Sequence, residues 1–454
     1  MTRVIGPITG GRHGWPFGAT LADLDSLGYV EEEYFVEGDA PRYRPTGSLG
    51  LDGQWKAERS GGARFVTRVV MRRPEASRFN GTLLVEWINV SAGSEIFEAG
   101  DTPAVFEEGF AYAAVSCQRA GVHGFDRDPK GLVAWDPDRY GSLVVDDDTL
   151  SYGIFTEVTR ALMSRSTDCD PLGDLSPERL VAIGGSQSAG RLVTYLNAVH
   201  PLEGVFVAFV PFTWFGSGSS LDDPRVFDPS DPESLARLTT HPTRIREDLE
   251  APVFVVNSEC ETLSCYPVRQ PDTETFRFWE VAGAPHAPRL HMERILPKME
   301  RDGLGPPGGV PIDLETLHPI PWAPVLDAAI GHVHRWLTAG DPPPIQPRIE
   351  VEGNPAAIRR DADGNAVGGV RVPEIQTALW SCTGSREESG PAGLMGLWAP
   401  LSEDVVVGRY GDRDGYVTAF AKAVDEAVGA AVLRSSDGES ALARAATTLF
   451  PAGA

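Results

Sequence analysis

One stretch constrains this chain more than any other. It runs from Arg179 to His200 and reads Arg-Leu-Val-Ala-Ile-Gly-Gly-Ser-Gln-Ser-Ala-Gly-Arg-Leu-Val-Thr-Tyr-Leu-Asn-Ala-Val-His. Leu180 to Ile183 is a short continuous apolar run, the pattern of a strand buried on both faces of a parallel sheet. Leu192, Tyr195, Leu196 and Val199 fall at i, i+3, i+4 and i+7, one face of a helix. The turn between them places Ser186 with small residues two before (Gly184) and two after (Ser188). That is the nucleophile-elbow spacing: a strained serine at the sheet's end, with the positive end of a helix aimed at the site. Ser186 is therefore the expected nucleophile, and the Gln187 N–H one donor to an oxyanion.

Two other readings fit less well. No Gly-Lys-Ser/Thr follows the turn and no G-x-G-x-x-G is present, which sets nucleotide binding aside. Ser188, flanked by Ser186 and Gly190, is the rival nucleophile, but it leaves Gly184 without a role.

With 40 Lys and Arg against 64 Asp and Glu, the net charge of −24 argues against nucleic-acid or anionic-membrane partners. The first residues carry no apolar core suited to a secretory signal, and the uncharged stretch from Gly204 to Leu221 is broken by Pro211. Five scattered cysteines make no disulfide framework, so Cys260 and Cys265 read as free thiols and the expected compartment is the cytoplasm.

Along the chain, residues 1–60 read as an irregular segment with short strands, such as Tyr29-Val30 and Tyr34-Phe35-Val36. Alternation at 63–71 predicts a strand, and buried-strand runs follow at 82–90, 109–116, 205–210, 251–257 and 276–281. Ile154, Val158 and Leu162 predict a helix over 150–163, with Asp146-Asp147-Asp148 as its acidic cap rather than a metal site. Ala323 to Leu337 is the last core helix. Strands alternating with helices give an α/β class, a mostly parallel central sheet flanked by helices. The core spans 61–340, with an insertion or lid at 215–250. A Pro-rich connection then opens a C-terminal extension, 341–454, expected to pack on the core, with short strands around 368–372 and a helical tail over 415–450.

A serine nucleophile needs a base, and the base needs an orienting acid. Loops after later strands supply both in order: Glu259 and Glu261, then His286 in a small-residue loop. His286 is the expected base, with His291 its rival at the start of a helix. Glu261 is preferred to Glu259 as the acid because it lies further into the loop. The loop after the early strand, Asn89-Val90-Ser91, is expected to give the second oxyanion N–H, with the donor left open among the three. Trp87, Phe212, Trp214 and Tyr266 are candidate pocket walls. His332 and His334, two apart on a helix, point to different faces, and no metal-ligand spacing occurs. Neither metal nor cofactor is expected.

With these residues in hand, the chain resembles the bacterial alpha/beta hydrolase domain-containing proteins, a branch of the α/β-hydrolase superfamily. The resemblance rests on Val85-Glu86-Trp87-Ile88-Asn89-Val90-Ser91, Pro137 to Leu143, Gly184 to Gly190, Arg269-Gln270-Pro271-Asp272-Thr273 and Trp279 to Ala287. It covers most of the chain from about residue 60, and implies an α/β-hydrolase fold with N- and C-terminal extensions and the roles above for Ser186, His286 and the Glu261 position. The chain departs from the family pattern at Gly185, where Glu is usual, at Glu261, where Asp is common, and at Pro285 and Pro288. The expectation is a serine esterase or lactonase acting through an acyl-enzyme on a small apolar or aromatic substrate. The alternatives are an acyltransferase using the same three residues and an inactive binding protein of the same fold. Oligomeric state is left open.

Overall fold

The structure is a computed structural model that describes residues 2–164, 169–223, 233, 241–305, 312–386, 391–448 and 450. The chain divides into two compact units. The first comprises Met1–Val253, Pro267–Phe276 and Ile295–Pro311, the second Phe254–Tyr266, Arg277–Arg294 and Ile312–Ala454. The class is the expected one, a large, mostly parallel central sheet flanked by helices.

In the first unit the strands are β1 (Arg3–Ile5), β2 (Tyr29–Pro45), β3 (Ala57–Pro74), β4 (Thr82–Trp87), β5 (Ala111–Val115), β6 (Arg179–Gly185) and β7 (Ala208–Phe212). They lie in the order β1-β2-β3-β5-β4-β6-β7. The members β5, β4, β6 and β7 are mutually parallel, while β1, β2 and β3 extend the sheet antiparallel. Every residue of β4 and β5 is buried, as a strand covered on both faces requires. Each large aliphatic side chain so placed contributes about 1.5–3 kcal/mol relative to exposure. The helix Ser151–Met163 puts Ile154, Val158 and Leu162 wholly out of water, the stripe their spacing predicted.

The irregular N-terminal segment is corrected. Tyr29–Pro45 is one strand of 17 residues, paired along its length with the 18 residues of β3. The run Glu31-Glu32-Glu33 separates the two apolar pieces in sequence but lies inside this strand. Its charges are met by arginines of β3: Arg72 with Glu31 at 2.7 Å, Arg68 with Glu33 at 3.0 Å, and Arg73 with Glu32. Paired charges let a strand continue where polarity alone suggests a loop. Of the insertion expected at 215–250, Ser217–Gly218 (β8) pairs antiparallel with His241–Pro242 (β9), while 224–232 and 234–240 lie outside the described residues.

The second unit holds all but the first residue of β10 (Val253–Ser258) and of its neighbour β11 (Phe276–Val281), and the helix Ala323–Ala339. The strand expected around 368–372 reduces to a single bridge from Val370 to Val281, because Gly368 and Gly369 take φ of 79° and 70°, a conformation no strand continues through. The helical tail is two helices, Arg413–Gly429 and Ser435–Thr447, which bury Tyr416, Phe420, Val424 and Ala441 in one apolar cluster. Among the described residues no helix is long and apolar enough to cross a membrane.

Candidate active site

The first unit carries the elbow. Ser186 follows β6 and caps the helix Gln187–Thr194 with φ 56° and ψ −119°, a region L-residues visit only under constraint. The constraint comes from the end of β7. The Ser186 N–H donates to Phe212 O at 3.0 Å and to Thr213 Oγ1 at 3.1 Å, and Thr213 itself has φ 45°. Ser188, the rival, is fully buried with its hydroxyl donating to Gly185 O at 2.7 Å.

The crowded glycine is not the one that the spacing singled out. A methyl group on Gly184 would meet Ser188 at 3.4 Å, an ordinary contact, whereas one on Gly185 would overlap Glu98 Oε2 and the Phe212 ring. The place of an elbow side chain at 185 is thus taken by a carboxylate from the loop after β4 and by a buried aromatic ring. Gly185→Ala is expected to lower stability by about 1–3 kcal/mol through overpacking, and Gly184→Ala by less. Denaturant melts of both variants would check the order, and the reverse order would refute the crowding at Gly185.

The loop after β4 is tied to the elbow by Asn89, whose side-chain amide donates to Gly185 O at 3.3 Å while its Oδ1 accepts the Ser91 N–H at 2.8 Å. That bond occupies Ser91's N–H, which leaves Asn89 and Val90 as the loop's candidate oxyanion donors. The loop's far end is held by Glu86 of β4, which accepts the N–H groups of Glu98 (2.9 Å) and Ala99 (3.2 Å) and the hydroxyl of Tyr112. Burial pushes the Glu86 carboxyl up from its ordinary 4.5 to about 7, against the pull of those bonds. The folded chain therefore keeps this proton between about 4.5 and about 7, where the unfolded chain has lost it. The group's stabilising contribution is full below that window and is lost as pH rises through it, on the order of 3 kcal/mol in all. Glu86→Gln is expected to flatten this part of the pH dependence of Tm; equal slopes in variant and wild type would refute the assignment.

Asp148 anchors the elbow helix from another side, accepting from Arg191 at 3.1 Å and from the Arg119 N–H at 2.8 Å. Its neighbour Asp147 is the expected cap, accepting the Thr149 N–H at 2.9 Å. Of the candidate pocket walls, Trp87 is corrected to a core residue. It is fully buried, its ring centroid lies 4.9 Å from that of Phe155, and its indole N–H donates to Gln118 at 3.0 Å. A strand covered on both faces offers no side to a pocket. Phe212 packs on Gly185, and Trp214 is buried with its N–H on Ser217 O at 2.7 Å. Tyr266, in the second unit, is 42% exposed.

The second unit carries the residues expected as acid and base. β10 ends at Ser258, which caps the single turn Glu259–Glu261. Glu261 turns back so that Oε2 accepts both the Ser258 N–H (2.9 Å) and its hydroxyl (2.7 Å). Its other oxygen, Oε1, lies 2.6 Å from His286 Nδ1, with the carboxylate fully buried and the imidazole 11% exposed. A carboxylate only accepts, so Nδ1 is the donor of this bond and Nε2 is the ring nitrogen turned away from Glu261. Glu259 instead faces Gly283 N–H and Gly384 N–H, and does not share the imidazole. His291 sits in the helix Arg289–Arg301, its ring packed on Trp322 at 4.7 Å. Trp322, which the sequence did not single out, donates its indole N–H to His286 O at 3.0 Å. Pro288 opens the helix after the histidine, its carbonyl accepting the N–H groups of His291 and Met292 at 3.1 Å each. Among the described residues no three His, Cys, Asp or Glu side chains are grouped to hold a metal ion.

Among solved structures the chain is similar to esterase Est22, at 12% identity over 56% of this chain and 72% of that one, with a TM-score of 0.30. It is also similar to acetyl xylan esterase 1 from Thermoanaerobacterium sp. JW/SL YS485, at 13% identity over 53% and 81%, TM-score 0.26. A third is a glucuronoyl esterase from Solibacter usitatus, at 8% identity over 62% and 80%, TM-score 0.28. No curated protein matches the chain. Residues 4–443, nearly the whole length, match the model of an alpha/beta hydrolase domain, and the chain belongs to that family.

Proposed function

We propose that the chain is a serine hydrolase that cleaves carboxylic esters or lactones through an acyl-enzyme on Ser186. The observation that carries this reading is the buried 2.6 Å bond from His286 Nδ1 to Glu261, which presents Nε2 as a base. Membership of a hydrolase family and the constrained backbone of Ser186 support it. In this reading Ser186 Oγ attacks the substrate carbonyl while His286 Nε2 takes its proton. The oxyanion is held by the Gln187 N–H at the helix start and by an N–H of Asn89 or Val90. His286 then returns the proton to the leaving alcohol, and a water repeats the sequence to free the acid. Glu261 fixes the tautomer throughout. The substrate we favour has a small apolar or aromatic group, since Phe212 ends the strand beside the elbow and Trp214 lies just beyond it.

A series of p-nitrophenyl esters of increasing acyl length tests this, together with a serine-directed phosphonate. Turnover and phosphonate labelling of one residue, Ser186, are expected. Labelling without turnover would favour transfer of the acyl group to an alcohol instead of water. Neither labelling nor turnover would overturn the reading in favour of a binding protein.

A further inference from the structure

The reaction above makes no use of a buried carboxylate that stands beside the acid. Glu259 is 1% exposed and lies two residues before the acid, on the same single turn. Its Oε2 accepts the Gly283 N–H at 2.7 Å, three residues ahead of His286. Its Oε1 accepts the Gly384 N–H at 2.9 Å and pairs with Arg360 Nη1 at 2.7 Å. Its own N–H donates to Ala284 O at 3.0 Å. The turn that carries the acid and the loop that carries the base are thus bound to each other on both sides of Glu259.

The C-terminal segment closes this arrangement. Arg360 also reaches Cys382 O at 3.3 Å, and the Ala287 N–H donates to Leu394 O at 3.2 Å. Gly384 sits so close that a methyl group there would come within 2.6 Å of Ala284 O and 2.8 Å of Cys260 N. Gly396 would meet Pro285 at 2.9 Å in the same way. Only glycine lets this segment lie flat on both loops.

We infer that Glu259, gripped by Arg360 and the Gly384 N–H, is a positioning residue for the general base. It locks the histidine loop to the acid's turn and so holds His286 Nδ1 at its distance from Glu261. The inference rests on the reading of Glu261 and His286 as the acid–base pair. It gives Arg360 and Gly384 a part in positioning the base. A loop free to shift by an ångström would misplace the base, and such misplacements cost about a hundredfold in rate.

Arg360→Ala is the variant of choice, because Arg360 is partly exposed and its loss leaves Glu259 both backbone donors. We expect kcat to fall about tenfold with KM unchanged, and Arg360→Lys to restore most of it, because an ammonium keeps the charge at lower directional precision. The downfield proton signal of His286 Nδ1–H, followed by NMR in nitrogen-15-histidine protein, is expected to weaken or move upfield in Arg360→Ala and to recover in Arg360→Lys. A wild-type signal and kcat in Arg360→Ala would overturn the inference. So would a loss that only tracks the folded fraction and that lysine does not rescue. If the wild-type protein cleaves no ester, the hydrolase reading fails on that count, and the NMR signal still decides whether the clamp holds the histidine.

Discussion

Ser186→Ala is expected to lower kcat for ester hydrolysis by about ten-thousandfold to a millionfold, the range seen when a triad serine is removed. Stability should hardly change. Alanine meets the same penalty at φ 56° as serine does, and the N–H bonds to Phe212 O and Thr213 Oγ1 belong to the backbone. Ser188→Ala is expected to behave in the opposite way, with kcat within a few-fold of wild type and a stability loss of about 1 kcal/mol or less. Its hydroxyl is one of two donors to Gly185 O, the other being the Asn89 amide, so the carbonyl stays satisfied. Measuring kcat and a thermal melt for each variant separates the two serines. Full activity in Ser186→Ala with loss in Ser188→Ala would move the nucleophile to Ser188.

What could be read from the sequence, and what could not, follows from how local each signal is. The elbow is local: strand, turn and helix are set by a continuous apolar run and an i, i+3, i+4, i+7 stripe, and both appear in β6 and the helix after Ser186. The strand Phe276–Val281 and the helix from Ala323 were legible for the same reason. The length of β2 was not, because the fate of Glu31-Glu32-Glu33 depends on arginines some 40 residues away in sequence. The crowding at Gly185 escaped as well, since it is made by Glu98 and Phe212, which no spacing rule around the serine contains. The choice between Glu259 and Glu261 did carry a local signal. Ser258-Glu259-Cys260-Glu261 has the capping-box spacing, in which the fourth residue turns back on the first. That signature marks Glu261 as the carboxylate whose orientation is fixed, and distance into the loop was a weaker guide. The grip on Glu259 by Gly384 and Arg360 was beyond reach, because it joins segments a hundred or more residues apart.

Glu261→Gln is expected to reduce kcat by about a thousandfold to ten-thousandfold, comparable to the loss on amidating the acid of a serine triad. The size of the effect follows from the two-sided environment of this carboxylate. Oε2 faces two donors, the Ser258 N–H and hydroxyl, and the N–H cannot turn away. A glutamine must therefore present its carbonyl oxygen to Ser258 and its NH2 group to His286. Nδ1 then becomes the acceptor, the ring proton moves to Nε2, and the atom that should take the serine proton already holds one. KM should change little, because the substrate does not meet this carboxylate, and the fold should survive because every donor around Ser258 keeps its acceptor. Glu259→Gln, which disturbs position and leaves the tautomer intact, should cost far less in kcat. Steady-state kinetics of the two variants, corrected for folded fraction, decide between the glutamates. If Glu259→Gln is the deeper loss, the orienting acid is Glu259 and the turn after β10 works in a register other than the one its hydrogen bonds describe.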